Sequence, residues 1–158
     1  MRIYLHQESQ QDASAVETAE TAVIADALGI DGEGEGAVVV LIEDADEPLD
    51  VTRTFAEGGL SDRTHLFCGR RHRIDVAVSF NGEQRTHVFS ASTRVERVFR
   101  WATGEHGFDL SKADAAEHTL ALSGTDVIPP GDAHVGSLPE QTPGHVAFML
   151  IPKHRYEG

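Results

Sequence analysis

Cysteine is nearly absent from this chain. Cys68 is the only one in 158 residues, so no disulfide can form within the chain. Lysine is almost as scarce: of 13 basic residues, only Lys112 and Lys153 are lysines. Positive charge as a whole is thin, because 26 acidic residues leave a net charge of −13 at pH 7. A nucleic-acid binder needs a basic face, and the only basic run is the short "RRHR" at 70–73, which reads as a solvated linker. The same acidity disfavours anionic membranes. Long apolar runs are missing too. The longest, "AVVVLI", is far too short to span a bilayer, and the opening "MRIYLHQESQQ" lacks the apolar stretch of a signal peptide. These absences lead to the expectation of a cytoplasmic protein that binds neither membrane nor nucleic acid.

Several catalytic and metal-binding patterns are missing as well. The nine histidines are scattered singly, without His-x-x-x-His or Cys-x-x-Cys spacing, so the spacing predicts no metal site. "EDADEPLD" has the carboxylates of a calcium loop but lacks its central glycine and closing glutamate, and reads as an acidic solvated turn. "GEGEG" lacks the Lys-Ser/Thr of a phosphate loop and carries negative charge. Cys68 has Arg70, Arg71 and His72 nearby in sequence, but a small half-buried strand residue is the better account. No Ser/His/Asp or Cys/His set is placed, so the chain is not expected to be an enzyme.

What is present is a folding pattern stated twice. Hydrophobic residues make up 40 % of the chain, enough for a packed core. In the first half, "MRIYLH" alternates as a strand. The next stretch leaves two readings open. One helix starts at a Ser14–Glu17 capping box, or Ala15–Thr18 form a strand and Thr21 caps a shorter helix ending at Gly29. "VVVLIED" (38–44) and "THLFCG" (64–69) read as strands, with a helical turn in "TRTFAEGGLSD" between them.

The second half has clearer signals. "IDVAVSF" and "QRTHVFS" flank Asn81-Gly82, whose residues suit a type I′ hairpin turn. Thr93 and Glu96 form a capping-box pattern ahead of Val95, Val98, Phe99 and Ala102 on one helical face, where Phe99 and Trp101 face or border the core. "EHTLALSG" is a strand, Pro129-Pro130 interrupt, "HVGSL" is a turn, and "HVAFMLIP" reads as a last strand buried on both faces. Each half therefore runs strand, strand, helix, strand, turn, strand. The expected limits are 1–70 and 73–158, with so short a join that the two units sit close and move little.

This order resembles the β-grasp of ubiquitin-like proteins, an α+β fold. "VVVLIEDADEPLDVTRTFAEGGLSDRTHLFCG" is similar to the second half of ubiquitin: Arg53, Thr54 and Phe55 fall at its Arg-Thr-Leu, Leu60 at its buried isoleucine, and His65-Leu66-Phe67 at its closing strand. "LALSGTDVIPPGDAHVGSLPE" resembles the same stretch, and "RYEG" falls at ubiquitin's conjugated tail. Over nearly its whole length the chain resembles the tandem ubiquitin-like modifiers of bacterial ubiquitination-like defence operons, of the ISG-like BilA type. It departs from ubiquitin in having Glu157, not glycine, before Gly158, and it matches poorly before Gly29.

The resemblance implies a function. The Gly158 carboxylate would be activated by an E1-like enzyme, passed as a thioester to an E2-like enzyme and conjugated to target proteins, possibly of phage origin. A deconjugating metallopeptidase would reverse the bond. ATP and Mg2+ would serve the activating enzyme, and this chain itself would need no cofactor. Glycine suits the role because it has no Cβ to obstruct attack on its carbonyl. Arg155, Tyr156 and Glu157 would be read by the enzyme's groove, and no processing step is expected to expose the glycine. With two lysines as acceptors, self-linked chains should be few, giving mainly a single-unit tag. Two other classes compete: a non-covalent tandem β-grasp adaptor, for which Gly158 is dispensable, and a sulfur carrier with a terminal thiocarboxylate.

Overall fold

The computed structural model describes residues 1–8, 10, 12–30 and 38–153. The first half forms β1 (Arg2–Gln7), β2 (Ser14–Glu17), α1 (Ile24–Leu28), β3 (Val39–Ile42) and β4 (His65–Gly69). The second forms β5 (Arg73–Phe80), β6 (Glu83–Ser90), α2 (Val95–Thr103), α3 (Lys112–Ala116), β7 (His118–Leu122), a 3-10 turn at Val135–Ser137 and β8 (His145–Pro152). The sheet orders are β2-β1-β4-β3 and β6-β5-β8-β7, each with a parallel central pair flanked by antiparallel neighbours. A helix packs on one face of each sheet. These are two tandem β-grasp units.

The ambiguous stretch is resolved in favour of the strand: Ser14–Glu17 pairs with β1, and α1 ends at Gly29 in the left-handed conformation (φ 66°). The expected turn at Asn81-Gly82 forms, with φ of 51° and 80°.

Both expected side-chain caps give way to another device. The residues that precede the helices are Val23 and Arg94, and neither makes a side-chain cap. Instead the first free N–H groups donate to backbone carbonyls of the loop before the last strand. Ile24 and Ala25 bond Arg53 and Val51; Val95 and Glu96 bond Ala133 and Gly131. In each unit two successive N–H groups reach carbonyls two residues apart, the mark of an internal repeat. A helix start satisfied this way has no need of Thr21 or Thr93. A capping box does form elsewhere, where Thr54 and Glu57 exchange backbone-to-side-chain bonds of 3.1 and 3.2 Å. The short α3, capped by Ser111 accepting from Asp114 N–H, has no counterpart in the sequence reading.

The first core is built on Ile3, Leu5, Ile24, Val40, Phe55 and Leu66. Leu41 and Phe67 point from the other face of the same sheet and join the second unit's cluster with Val76, Val98, Val135 and Phe148. The first sheet is thus covered on both faces. β8, expected to be so covered, buries only Val146, Phe148 and Leu150, while Ala147, Met149 and Ile151 are half-exposed.

Polar bonds reinforce this seam. The Asp44 carboxylate accepts from the Arg94 backbone N–H (2.9 Å) and guanidinium (2.7 Å). Ser92 donates through Oγ to the Ala45 carbonyl, and the Arg97 guanidinium donates to that of Asp44. "EDADEPLD" is therefore a docking loop more than a solvated turn. Three residues link β4 to β5, and the "RRHR" side chains are engaged: Arg70 with Glu8, Arg71 with Glu140, His72 with the Asp46 carbonyl and Arg73 with Glu47. The units sit close, as the short join suggested.

Candidate functional site

The last strand is an interior one, paired with β5 on one side and β7 on the other. His118 stands opposite Pro152, and the Lys153 N–H donates to the Glu117 carbonyl at 2.7 Å. The backbone is therefore held through Lys153. The four expected site residues, Arg155, Tyr156, Glu157 and Gly158, lie outside the described residues.

The sheet that delivers this strand has an open outer face. Asp75, Ala77, Thr86, Val88, His145 and Ala147 border a shallow depression of about 570 Å³ there, and Val88 is 45 % exposed. Its counterpart on the first sheet packs on the second unit through Leu41 and Phe67. Both lysines are exposed, Lys112 at the start of α3 and Lys153 just beyond β8. Phe99 and Trp101 lie half-buried against the second core, as expected.

Cys68 points into the first core and is 7 % exposed. Burial, then the neighbouring Glu8, push its thiol pKa up, which disfavours the thiolate a nucleophile needs.

With β5, β6, α2, β7 and β8 in place, the comparison with known families is direct. The model of BilA ubiquitin-like domain 2 matches residues 75–153, half of the chain. The chain belongs to the BilA ubiquitin-like family. No curated protein matches it. The segment matched to BilA ubiquitin-like domain 2 ends at Lys153, whose N–H bonds the Glu117 carbonyl. Among the described residues no helix is long and apolar enough to cross a membrane.

One assembly in this BilA-family chain was not legible in the sequence. His6 and His65 lie on adjacent parallel strands, on the face opposite the first core, with His6 Nε2 and His65 Nδ1 2.8 Å apart. Glu43 follows β3, and its N–H donates to the His65 carbonyl at 3.0 Å. From the second unit, His134 places Nε2 2.8 Å from Glu43 Oε1 and its ring centroid 4.6 Å from that of His6. Burial, then His134 and His65, lower the His6 pKa. A groove of about 830 Å³ runs past this cluster, lined by His6, Phe67, Val127, Pro129, His134 and Leu138 among others. Residues 6, 43, 65 and 134 share no local spacing. The pairing of β4 with β1 on one side and β3 on the other, together with the seam between the units, brings them together.

Proposed function

We propose that this chain is a ubiquitin-like protein modifier whose reacting group is its own Gly158 carboxylate. An anion of ordinary carboxylate pKa repels nucleophiles, so it must first be activated. An E1-like enzyme joins it to ATP as an acyl-adenylate, releasing pyrophosphate. A cysteine thiolate then displaces AMP and the acyl group passes as a thioester to an E2-like enzyme. A target amine attacks the thioester carbonyl, the thiol leaves, and an amide bond remains. A deconjugating metallopeptidase cleaves that bond. The chain contributes no catalytic group, and ATP and Mg2+ belong to the activating enzyme. The setting we propose is the cytoplasm of a bacterium defending itself against phage.

The observation that carries this reading is the ubiquitin-like second unit with its last strand fixed through Lys153. Five residues, 154–158, follow that point, the last of them Gly158. They span at most about 18 Å, enough to enter a cleft while the folded unit stays outside. Arg155, Tyr156 and Glu157 are the side chains the activating enzyme reads on the way. The open outer face beside Val88 supplies a docking surface for these enzymes, and Lys112 and Lys153 offer few sites for self-linked chains.

The test is reconstitution with the E1-like and E2-like partners and ATP. A reducible adduct on each enzyme, lost when Gly158 is deleted, supports the modifier. Unchanged activity of that deletion in cells supports a non-covalent adaptor working through the open face. A sulfur-for-oxygen shift in intact mass supports a sulfur carrier.

A further inference from the structure

We propose that His6, His65 and Glu43 bind a divalent transition-metal ion, Zn2+ by the character of the donors, at the seam between the two units. One donor atom from each of the three lies within 4.8 Å of the other two. Two imidazoles and a carboxylate form a donor set that suits zinc, with a fourth position left for water. The set has too few oxygens for Ca2+ or Mg2+.

The geometry is close to what zinc needs. Tetrahedral nitrogen ligands with bonds near 2.0–2.1 Å stand about 3.3 Å apart. His6 Nε2 and His65 Nδ1 are 2.8 Å apart, one donating to the other according to the tautomer. Metal entry needs the two nitrogens to separate by about half an ångström, a side-chain adjustment. The proton balance is simple. The ring that donates in the hydrogen bond moves its proton to its other nitrogen and stays neutral, so both facing nitrogens present lone pairs. Glu43 supplies its carboxylate.

The surroundings hold these ligands in place. His6 and His65 are fixed on paired strands, and His65 stacks on Tyr4 with ring centroids 4.9 Å apart. His134, only 3 % exposed, bonds Glu43 Oε1, and the Arg94 guanidinium lies 4.0 Å from Glu43 Oε2. Such outer partners orient a ligating carboxylate. His6, His65 and Glu43 are half-buried, and His6 and His134 line the groove, which gives an ion a path in. The ligands belong to the first unit and the residues that orient Glu43, His134 and Arg94, to the second. Metal binding is therefore linked to closure of the seam.

The experiment uses the full chain stripped of metal. Zn2+ is titrated against a chromogenic chelator, and thermal unfolding is followed with and without zinc. The structure predicts one equivalent bound, a rise in Tm with zinc, and no competition from Mg2+. His134→Gln should weaken binding about 10–100-fold, the usual cost of losing an outer partner, and His6→Ala and His65→Ala should cost more. Glu43→Gln, close to isosteric, repeats the ligand test should an alanine variant fail to fold. His106→Ala, on an exposed loop, should leave affinity unchanged. Binding as tight in His6→Ala, His65→Ala and Glu43→Gln as in the parent overturns the proposal. So does a loss in His106→Ala equal to theirs, or no uptake by the parent below millimolar zinc.

Discussion

Phe67 lies on a strand of the first unit, yet its ring is 1 % exposed within the second unit's cluster. Its para carbon reaches so close to Gly136 that a Cβ built there would stand 2.7 Å away. Phe67→Ala removes that ring and leaves a cavity at the seam, at a cost of about 3–5 kcal/mol. With a urea slope near 2 kcal/mol/M, the unfolding midpoint falls by about 1.5–2.5 M. The chain carries its own reporter for the second unit. Trp101 is the sole tryptophan, and it packs against that unit's core with Phe89, ring centroids 5.5 Å apart. Urea unfolding is followed by Trp101 fluorescence and, in parallel, by far-ultraviolet ellipticity. The substitution is in the first unit, but the fluorescence midpoint should fall by the full amount. An unchanged fluorescence midpoint, with the ellipticity transition alone displaced, would refute the shared layer and return the two units to independence.

Gly136→Ala tests the same seam from the other side: its Cβ meets Phe67 and Ala91 at 2.7 Å, and overpacking of this kind should cost about 1–3 kcal/mol in urea unfolding. Asp44→Asn keeps the shape of the docking loop but turns an amide toward the Arg94 guanidinium, and should cost about 1.5–3 kcal/mol by the same assay. Glu140 has its pKa lowered, first by the Gly144 N–H and then by Arg71. A depressed carboxyl pKa contributes stability above its unfolded value, and that stability is lost as pH falls through the folded value. The parent should therefore lose more stability than Glu140→Gln as pH falls from neutral to below about 4, measured as urea midpoints across that range; equal losses would show that the carboxylate is unpaired in solution.

The second unit was largely legible in the sequence because local signals agree with its fold. Alternation in "IDVAVSF", the Asn81-Gly82 turn and the stripe Val95, Val98, Phe99, Ala102 each act over a few residues. The helix starts were misread because their partners are distant backbone carbonyls, which carry no residue signature. The two-faced burial was assigned to β8 when it belongs to the first sheet. The continuous apolar runs "VVVLI" and "LFC" carried that signal: Val40 and Leu66 face one core while Leu41 and Phe67 face the other. The acidic turn looked solvated because its partner, Arg94, lies 50 residues away. The histidine cluster was hidden for the same reason, since His6 and His65 are 59 residues apart and meet only through strand pairing.

The proposed covalent bond from Gly158 to a target can be read directly. Conjugates formed in cells or in a reconstituted reaction are digested with trypsin, which cuts after Arg155 and leaves Tyr156-Glu157-Gly158 on whatever the chain has modified. Tandem mass spectrometry should find target peptides whose lysine side chain carries that tripeptide through an amide to the Gly158 carbonyl. Target peptides without the remnant, alongside a tail peptide that still ends in a free Gly158 carboxylate under conditions where both partner enzymes are active, would contradict it.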